Sequence, residues 1–182
     1  MKSVGFKEWA IVCQALGEGR QNVILRKGGV AEGRDGFAFR HREFFLFPTF
    51  FHEQVEKTRL TDSIAPQANE LQVTIRFFAR IEHACRIESW ETVADLERFH
   101  ILKQSVVQER FDDGRAPGVH AAFVRVFRLD QNWTLPNEKS YAGCRSWVEL
   151  PDPPAEMRLE PVLGEAEHVQ IEKRFRRAIV FS

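Results

Sequence analysis

The run Leu71-Gln72-Val73-Thr74-Ile75-Arg76-Phe77-Phe78-Ala79-Arg80-Ile81 decides how the rest of the chain is read. Apolar Leu71, Val73, Ile75, Phe77, Ala79 and Ile81 alternate with Gln72, Thr74, Arg76, Phe78 and Arg80, the period of a strand with one face in a core. Phe77 belongs to that buried face. Farther on, Val119–Leu129 is apolar on both parities, which predicts a central strand covered on both sides. Between the two, Ser89–Leu102 places Val93, Leu96 and either Phe99 or His100 at helical spacing, with Asp95 three residues after Thr92 as a capping partner. The helix is expected to continue, with breaks, to Phe111. A short strand is expected within Cys144–Leu150. In Glu165–Phe181, Ile171, Phe175, Ala178 and Ile179 form one stripe, with acidic residues leading and Arg174, Arg176 and Arg177 trailing, as a helix dipole favours.

Upstream, residues 8–16 and 22–27 are apolar runs separated by Gly17-Glu18-Gly19-Arg20-Gln21, a spacing that predicts an antiparallel hairpin with a glycine loop. The glycine-rich segment 28–36 leads into residues 37–51, which hold seven Phe residues around Pro48 and predict a buried strand. His52 to Lys57 suits a short helix, and Thr58 to Asn69 a polar loop. Pro151-Asp152-Pro153-Pro154 is too short to separate large domains. The expected architecture is one α+β domain over residues 1–182: a curved, largely antiparallel sheet, open or partly closed as a barrel, with packed helices.

At 182 residues with 43% hydrophobic and 29% charged residues, the chain can bury a single core and is not of disordered composition. It carries 26 basic and 26 acidic residues, so no long-range field steers it to nucleic acid or an anionic membrane, and any basic surface is local. No stretch approaches the roughly 20 apolar residues that span a bilayer, and the first residues lack a signal-peptide core; a cytoplasmic protein without membrane partners is expected. Cys13, Cys85 and Cys144 are widely spaced and predict reduced thiols rather than a disulfide framework or zinc site.

Several chemistries lack their motifs. Gly17-Glu18-Gly19 has no third glycine, and no Gly-x-x-x-x-Gly-Lys-Ser/Thr loop occurs. His52-Glu53 is followed by Glu56 where a zinc-peptidase helix needs a second His, although His52 and Glu56 at i and i+4 would share a helical face. There is no Gly-x-Ser-x-Gly, and no lysine follows a carboxylate at the two-residue spacing of magnesium-dependent nucleases. No cofactor and no metal site is therefore expected.

Lys7-Glu8-Trp9-Ala10, Leu25-Arg26-Lys27-Gly28-Gly29, Glu43-Phe44-Phe45-Leu46-Phe47-Pro48-Thr49 and Tyr141-Ala142-Gly143-Cys144-Arg145-Ser146-Trp147-Val148-Glu149-Leu150 together resemble an uncharacterised bacterial family, domain of unknown function 1802. His52-Glu53-Gln54 stands where that resemblance implies an aromatic-His-x-Gln element. The resemblance implies one domain and no particular activity.

The same pieces have a physical reading. Arg26 and Lys27 meet Gly28 and Gly29, whose lack of Cβ lets backbone amides approach an anion. With Arg42 and Arg145 they form a candidate site for a phosphate-bearing ligand, a nucleic acid or nucleotide, whose bases would stack on neighbouring aromatic rings. A second reading is a hydrolase using His41, Glu43, His52 and Glu53 as acid-base groups or metal ligands. A third is a structural or interaction protein, in which Arg26, Lys27, Arg40 and Arg42 are solvated strand ends paired with Glu32, Asp35 and Glu43. Cys144 reads as a small buried residue or as a reactive thiol beside Arg145. Convergence of residues 26–27, 41–43, 52–53 and 145 on one pocket would separate these readings.

Overall fold

The alternating run at 71–81 is the first half of a long strand, and its bulges shape the molecule. The computed structural model describes residues 3–27, 37–60, 69–113 and 116–180. Its elements are β1 (Ser3–Trp9), α1 (Ala10–Gly17), β2 (Val23–Arg26), β3 (Glu43–Thr49), β4 (Gln72–Ile87), α2 (Trp90–Asp95), α3 (Gln104–Asp112), β5 (Val119–Pro136), β6 (Trp147–Leu150), β7 (Leu159–Pro161) and α4 (Glu165–Val180). The strands form one sheet in the order β2-β5-β4-β3-β1-β6, with β7 also pairing β5. Every pair is antiparallel except β1 with β3.

In β4, Val73, Ile75, Phe77, Ala79 and Ile81 are buried as the alternation requires, whereas Leu71, just before the strand, is 80% exposed. Register shifts between Ile75 and Phe77 and between Ile81 and His83 bend β4 against β5. Such bulges add twist and curl a sheet. The curl brings the two ends of the strand order together: Arg26 on β2 donates to Ser146 Oγ beside β6 at 2.7 Å, and its guanidinium lies 5.2 Å from the centre of the Phe6 ring on β1. The result is a strongly curled half-barrel with four helices. One core, on the α1 and α4 side, contains Phe6, Leu16, Phe44, Phe123 and Phe175; a second, on the other face of β3, contains Phe45, Phe47, Trp133 and Tyr141.

The opening hairpin does not form. Residues 10–17 are the helix α1, β1 pairs β3 and β6, and β2 pairs β5. Seven of the eight residues of α1 are buried, so its apolar run has no polar face to reveal a helical period. Glycines 17 and 19 end this helix instead of turning a hairpin, Gly19 taking the left-handed φ of 72° that suits a helix C-terminus. The helix expected over 89–102 is α2 followed by a tight turn at Leu96–Phe99, then α3; Ser89 rather than Asp95 supplies the cap, its Oγ accepting from the Thr92 N–H at 3.3 Å. Among the described residues, no helix is long and apolar enough to cross a membrane.

Candidate anion-binding cleft

The curl places a charged group inside the barrel mouth. Phe6 and Glu8 alternate on β1 toward the interior, and both are buried, Glu8 at 2% exposure. The Glu8 carboxylate accepts the Trp9 N–H at 2.8 Å and faces the Arg26 guanidinium at 4.0 Å. Arg110, from α3, reaches into the same region: it donates to the Leu25 carbonyl at 2.7 Å and stacks 4.7 Å from the centre of the Trp9 ring. Burial holds the Arg110 guanidinium below its ordinary value; Glu8 opposes that fall, and Arg26 adds to it. Two guanidinium groups thus share one buried carboxylate.

Beyond Arg26 the aromatic rings continue outward. Phe6 packs on Trp147 at 4.8 Å between ring centres, and Trp147 on His41 at 4.9 Å. Trp147 and His41 line an open cleft of about 610 Å³ with Val4, Arg145, Val148 and Glu149. Arg145 has no acidic partner among the described residues. Its loop is pinned by Lys7, whose buried ammonium donates to the Gly143 carbonyl at 3.0 Å and whose N–H donates to the Ser146 carbonyl at 2.8 Å. Burial lowers the Lys7 amine from its usual value; Cys144 partly opposes this, and Arg145 contributes to the fall. Cys144 itself is exposed, contrary to the buried reading. Two buried donors, Trp147 Nε1 in the wall of this cleft and Arg26 Nε behind it, have no acceptor among the described residues. A buried donor without a partner costs on the order of 1–3 kcal/mol.

The other expected residues divide. Arg26, His41 and Arg145 gather around Trp147 and Ser146. Arg42 is exposed next to His41, its carbonyl accepting the Ile81 N–H at 2.7 Å. Lys27 is committed elsewhere, donating to the carbonyls of Phe111 and Ala116, each at 3.1 Å. Gly28 and Gly29 lie outside the described residues, as do Glu32 and Asp35. Glu43 pairs with Arg80 at 2.8 Å. His52 and Glu53 are exposed in a tight turn past the opposite end of β3 from His41, so the four proposed acid-base residues form no cluster. No grouping of three or more His, Cys, Asp or Glu suited to a metal occurs among the described residues. The buried member of His52-Glu53-Gln54 is Gln54, whose Oε1 accepts the Ile11 N–H at 3.1 Å and so caps α1. Glu8, Arg110, Ser146 and Trp147 were not predicted as site residues; a carboxylate directly before an apolar run was the one available signal, for Glu8.

His100, which with Phe99 competes for the apolar stripe of the run 89–102, is deeply buried. Its Nδ1 accepts the Leu102 N–H at 3.2 Å, and its Nε2 has no partner among the described residues. Burial, with Arg59 and Arg110 adding to it, pushes its pKa down to about 3. The native state therefore holds it neutral, and its contribution is intact above the unfolded value near 6.5 and lost as pH falls toward 3. Stability is expected to drop by about 1.4 kcal/mol per pH unit in that window. In urea titrations at pH 6.5 and 5, His100→Asn should shrink the difference by about 2 kcal/mol; an unchanged difference would place the acid sensitivity elsewhere.

A family model described as "Domain of unknown function (DUF1802)" matches residues 5–174. No curated protein matches the chain. Among solved structures, the crystal structure of ASCH from Zymomonas mobilis is 13% identical, with 94% of each chain covered and a TM-score of 0.45. A serine-to-alanine mutant of that protein is likewise 13% identical, covering 94% of this chain and 95% of that one, with a TM-score of 0.44. A tyrosine-to-phenylalanine mutant is 14% identical, covering 95% and 98%, with a TM-score of 0.42.

Proposed function

The chain belongs to the family described as domain of unknown function DUF1802, and on that premise we propose, from the cleft itself, that it is a binding module for a phosphate-bearing ligand, a nucleic acid strand or a nucleotide. The observation that carries this reading is the exposed Arg145 guanidinium, without an acidic partner among the described residues, on the rim of a cleft that it shares with His41 and Trp147. A phosphate oxygen finds its partner in Arg145, and the two-to-one ratio of guanidinium to buried carboxylate behind it, Arg26 and Arg110 against Glu8, favours an anion on that side. The half-buried Trp147 ring and the exposed His41 ring offer faces on which a base can stack, a contact worth about 1–3 kcal/mol per base. Glu149 on the same rim limits the affinity for a bare anion.

Fluorescence anisotropy with a labelled single-stranded oligonucleotide at low salt tests the proposal. Binding is expected at micromolar Kd, falling as salt rises, as phosphate contacts require. Arg145→Ala, an exposed change, should weaken it about tenfold while the thermal transition stays in place. Lys27→Ala should lower stability instead, because its ammonium bridges two carbonyls. The reading fails if neither a single strand, a duplex nor a nucleoside triphosphate binds wild-type protein at tens of micromolar, or if Arg145→Ala binds as well as wild type.

A further inference from the structure

A second pocket, of about 420 Å³, lies between the outer side of α1, the end of β3 and the start of β4. Its volume is that of a small-molecule site, in the usual range of roughly 300–1,000 Å³. The cleft at His41 and Arg145 shares none of its lining residues. Its lining is unusual in chemistry: the side-chain amides of Gln14, Gln72 and Asn132 line it together with Arg76 and the rings of Phe50 and Phe77, and no carboxylate among the described residues does. Phe50 is 36% exposed, a large apolar surface that water covers poorly.

The polar groups retain hydrogen-bonding capacity. Gln14 uses its Nε2 on Glu18, at 2.8 Å, and keeps its carbonyl oxygen. Asn69, also in the lining, accepts the Leu71 N–H through Oδ1 at 2.9 Å and keeps its NH₂. The amides of Gln72 and Asn132 make no side-chain hydrogen bond among the described residues. The floor is preformed: a Cβ on Gly17 would come within 2.0 Å of the Phe77 ring, so the bare backbone of α1 seats that ring closely.

We infer that this pocket is a binding site for an uncharged heteroaromatic base, taken as a nucleoside or as one residue of a strand. A planar amide presents a donor and an acceptor side by side and matches the paired edge groups of a nucleobase, as Asn and Gln do with adenine. The phenyl rings supply the apolar surface against which the flat base packs. A bare sugar has no such face, and a free anion would find only Arg76.

The test uses the full chain and ligands without phosphate, so its outcome is independent of the anion cleft. Adenosine, guanosine, cytidine and uridine are titrated separately while the side-chain NH₂ resonances of Gln72 and Asn132 are followed by NMR. At least one nucleoside is expected to shift them with a Kd on the order of 0.1–1 mM, and ribose alone to shift nothing. Gln72→Ala with Asn132→Ala, both exposed positions, should weaken that nucleoside at least about tenfold by calorimetry, and Phe50→Ala should do the same; Arg145→Ala should leave it unchanged. The inference is overturned if no nucleoside binds at about 5 mM, if ribose binds equally well, or if the amide variants, folded by circular dichroism, bind as wild type does.

Discussion

Phe123→Ala is expected to lower the unfolding free energy by about 4 kcal/mol and the melting temperature by on the order of 10 °C. Phe123 is wholly buried on β5, with Val23 of β2 opposite it on one side and His83 of β4 on the other. Its ring stacks on Phe175 of α4 at 5.1 Å and tilts against His168 at 5.3 Å. Removing the ring takes away apolar burial, and a strand hydrogen-bonded on both edges cannot move in to fill the space. The loss also unseats α4, which is otherwise held to β4 by His168 on Glu82 at 2.7 Å and His83 on Glu172 at 2.6 Å. Urea denaturation of wild type, Phe123→Ala and Leu159→Ala, at a 40% exposed position, is the measurement. Leu159→Ala should stay within about 0.5 kcal/mol of wild type. A Phe123→Ala cost under about 1 kcal/mol would mean that α4 does not close this core.

Glu8→Gln should cost about 3 kcal/mol, although the two side chains are nearly the same shape. Glutamine still accepts the Trp9 N–H, so packing and that hydrogen bond persist. What disappears is the buried carboxylate that faces Arg26 and holds up the Arg110 guanidinium, leaving both groups in a desolvated mouth without its charge. Breaking a buried pair by removing one partner is costly because the survivor has no water to return to. Pairing Glu8→Gln with Arg110→Met separates charge from shape: the double variant should recover at least about 1 kcal/mol relative to Glu8→Gln alone. If Glu8→Gln is as stable as wild type, the mouth is more hydrated than its burial implies.

Much of the sheet was legible because its signals are local. Val73 to Ile81 alternates and Val119 to Leu129 does not, and both sit as that difference requires, on a half-covered and a central strand. Phe175 likewise marks the buried stripe of α4. The opening helix was illegible for a physical reason: Ala10 to Gly17 is apolar on all sides, so strand and helix make the same pattern, and the deciding contact comes from Gln54, forty-three residues away from the Ile11 N–H that it caps.

The candidate site divides along the same line. Arg26 and Arg145 stand out as cations beside glycine or aromatic residues; Arg145 lines the cleft, and Arg26 donates to Ser146 next to it. His52 and Glu53 stood out equally, yet they lie beyond the far end of β3, because a seven-residue strand carries its two ends roughly 20 Å apart. Lys27 follows Arg26 directly, but alternation along a strand turns neighbours to opposite sides, and its ammonium is taken up by two carbonyls. Nothing in the sequence links Glu8 with Arg110; the fold brings the buried Glu8 and the half-buried Arg110 into one region.

By itself the sequence determined the α+β class, the two long strands, the terminal helix and the lack of a metal or dinucleotide motif, since each depends on residue type at short spacing. The curl of the sheet, the seam between Arg26 and Ser146, and the pairing of β1 with β3 were decided only by the tertiary structure. The seam joins residues that are 120 positions apart, and no local period encodes any of the three. Bulges in β4 and the burial of one carboxylate with two guanidinium groups set them, and both exist only once the strands have paired.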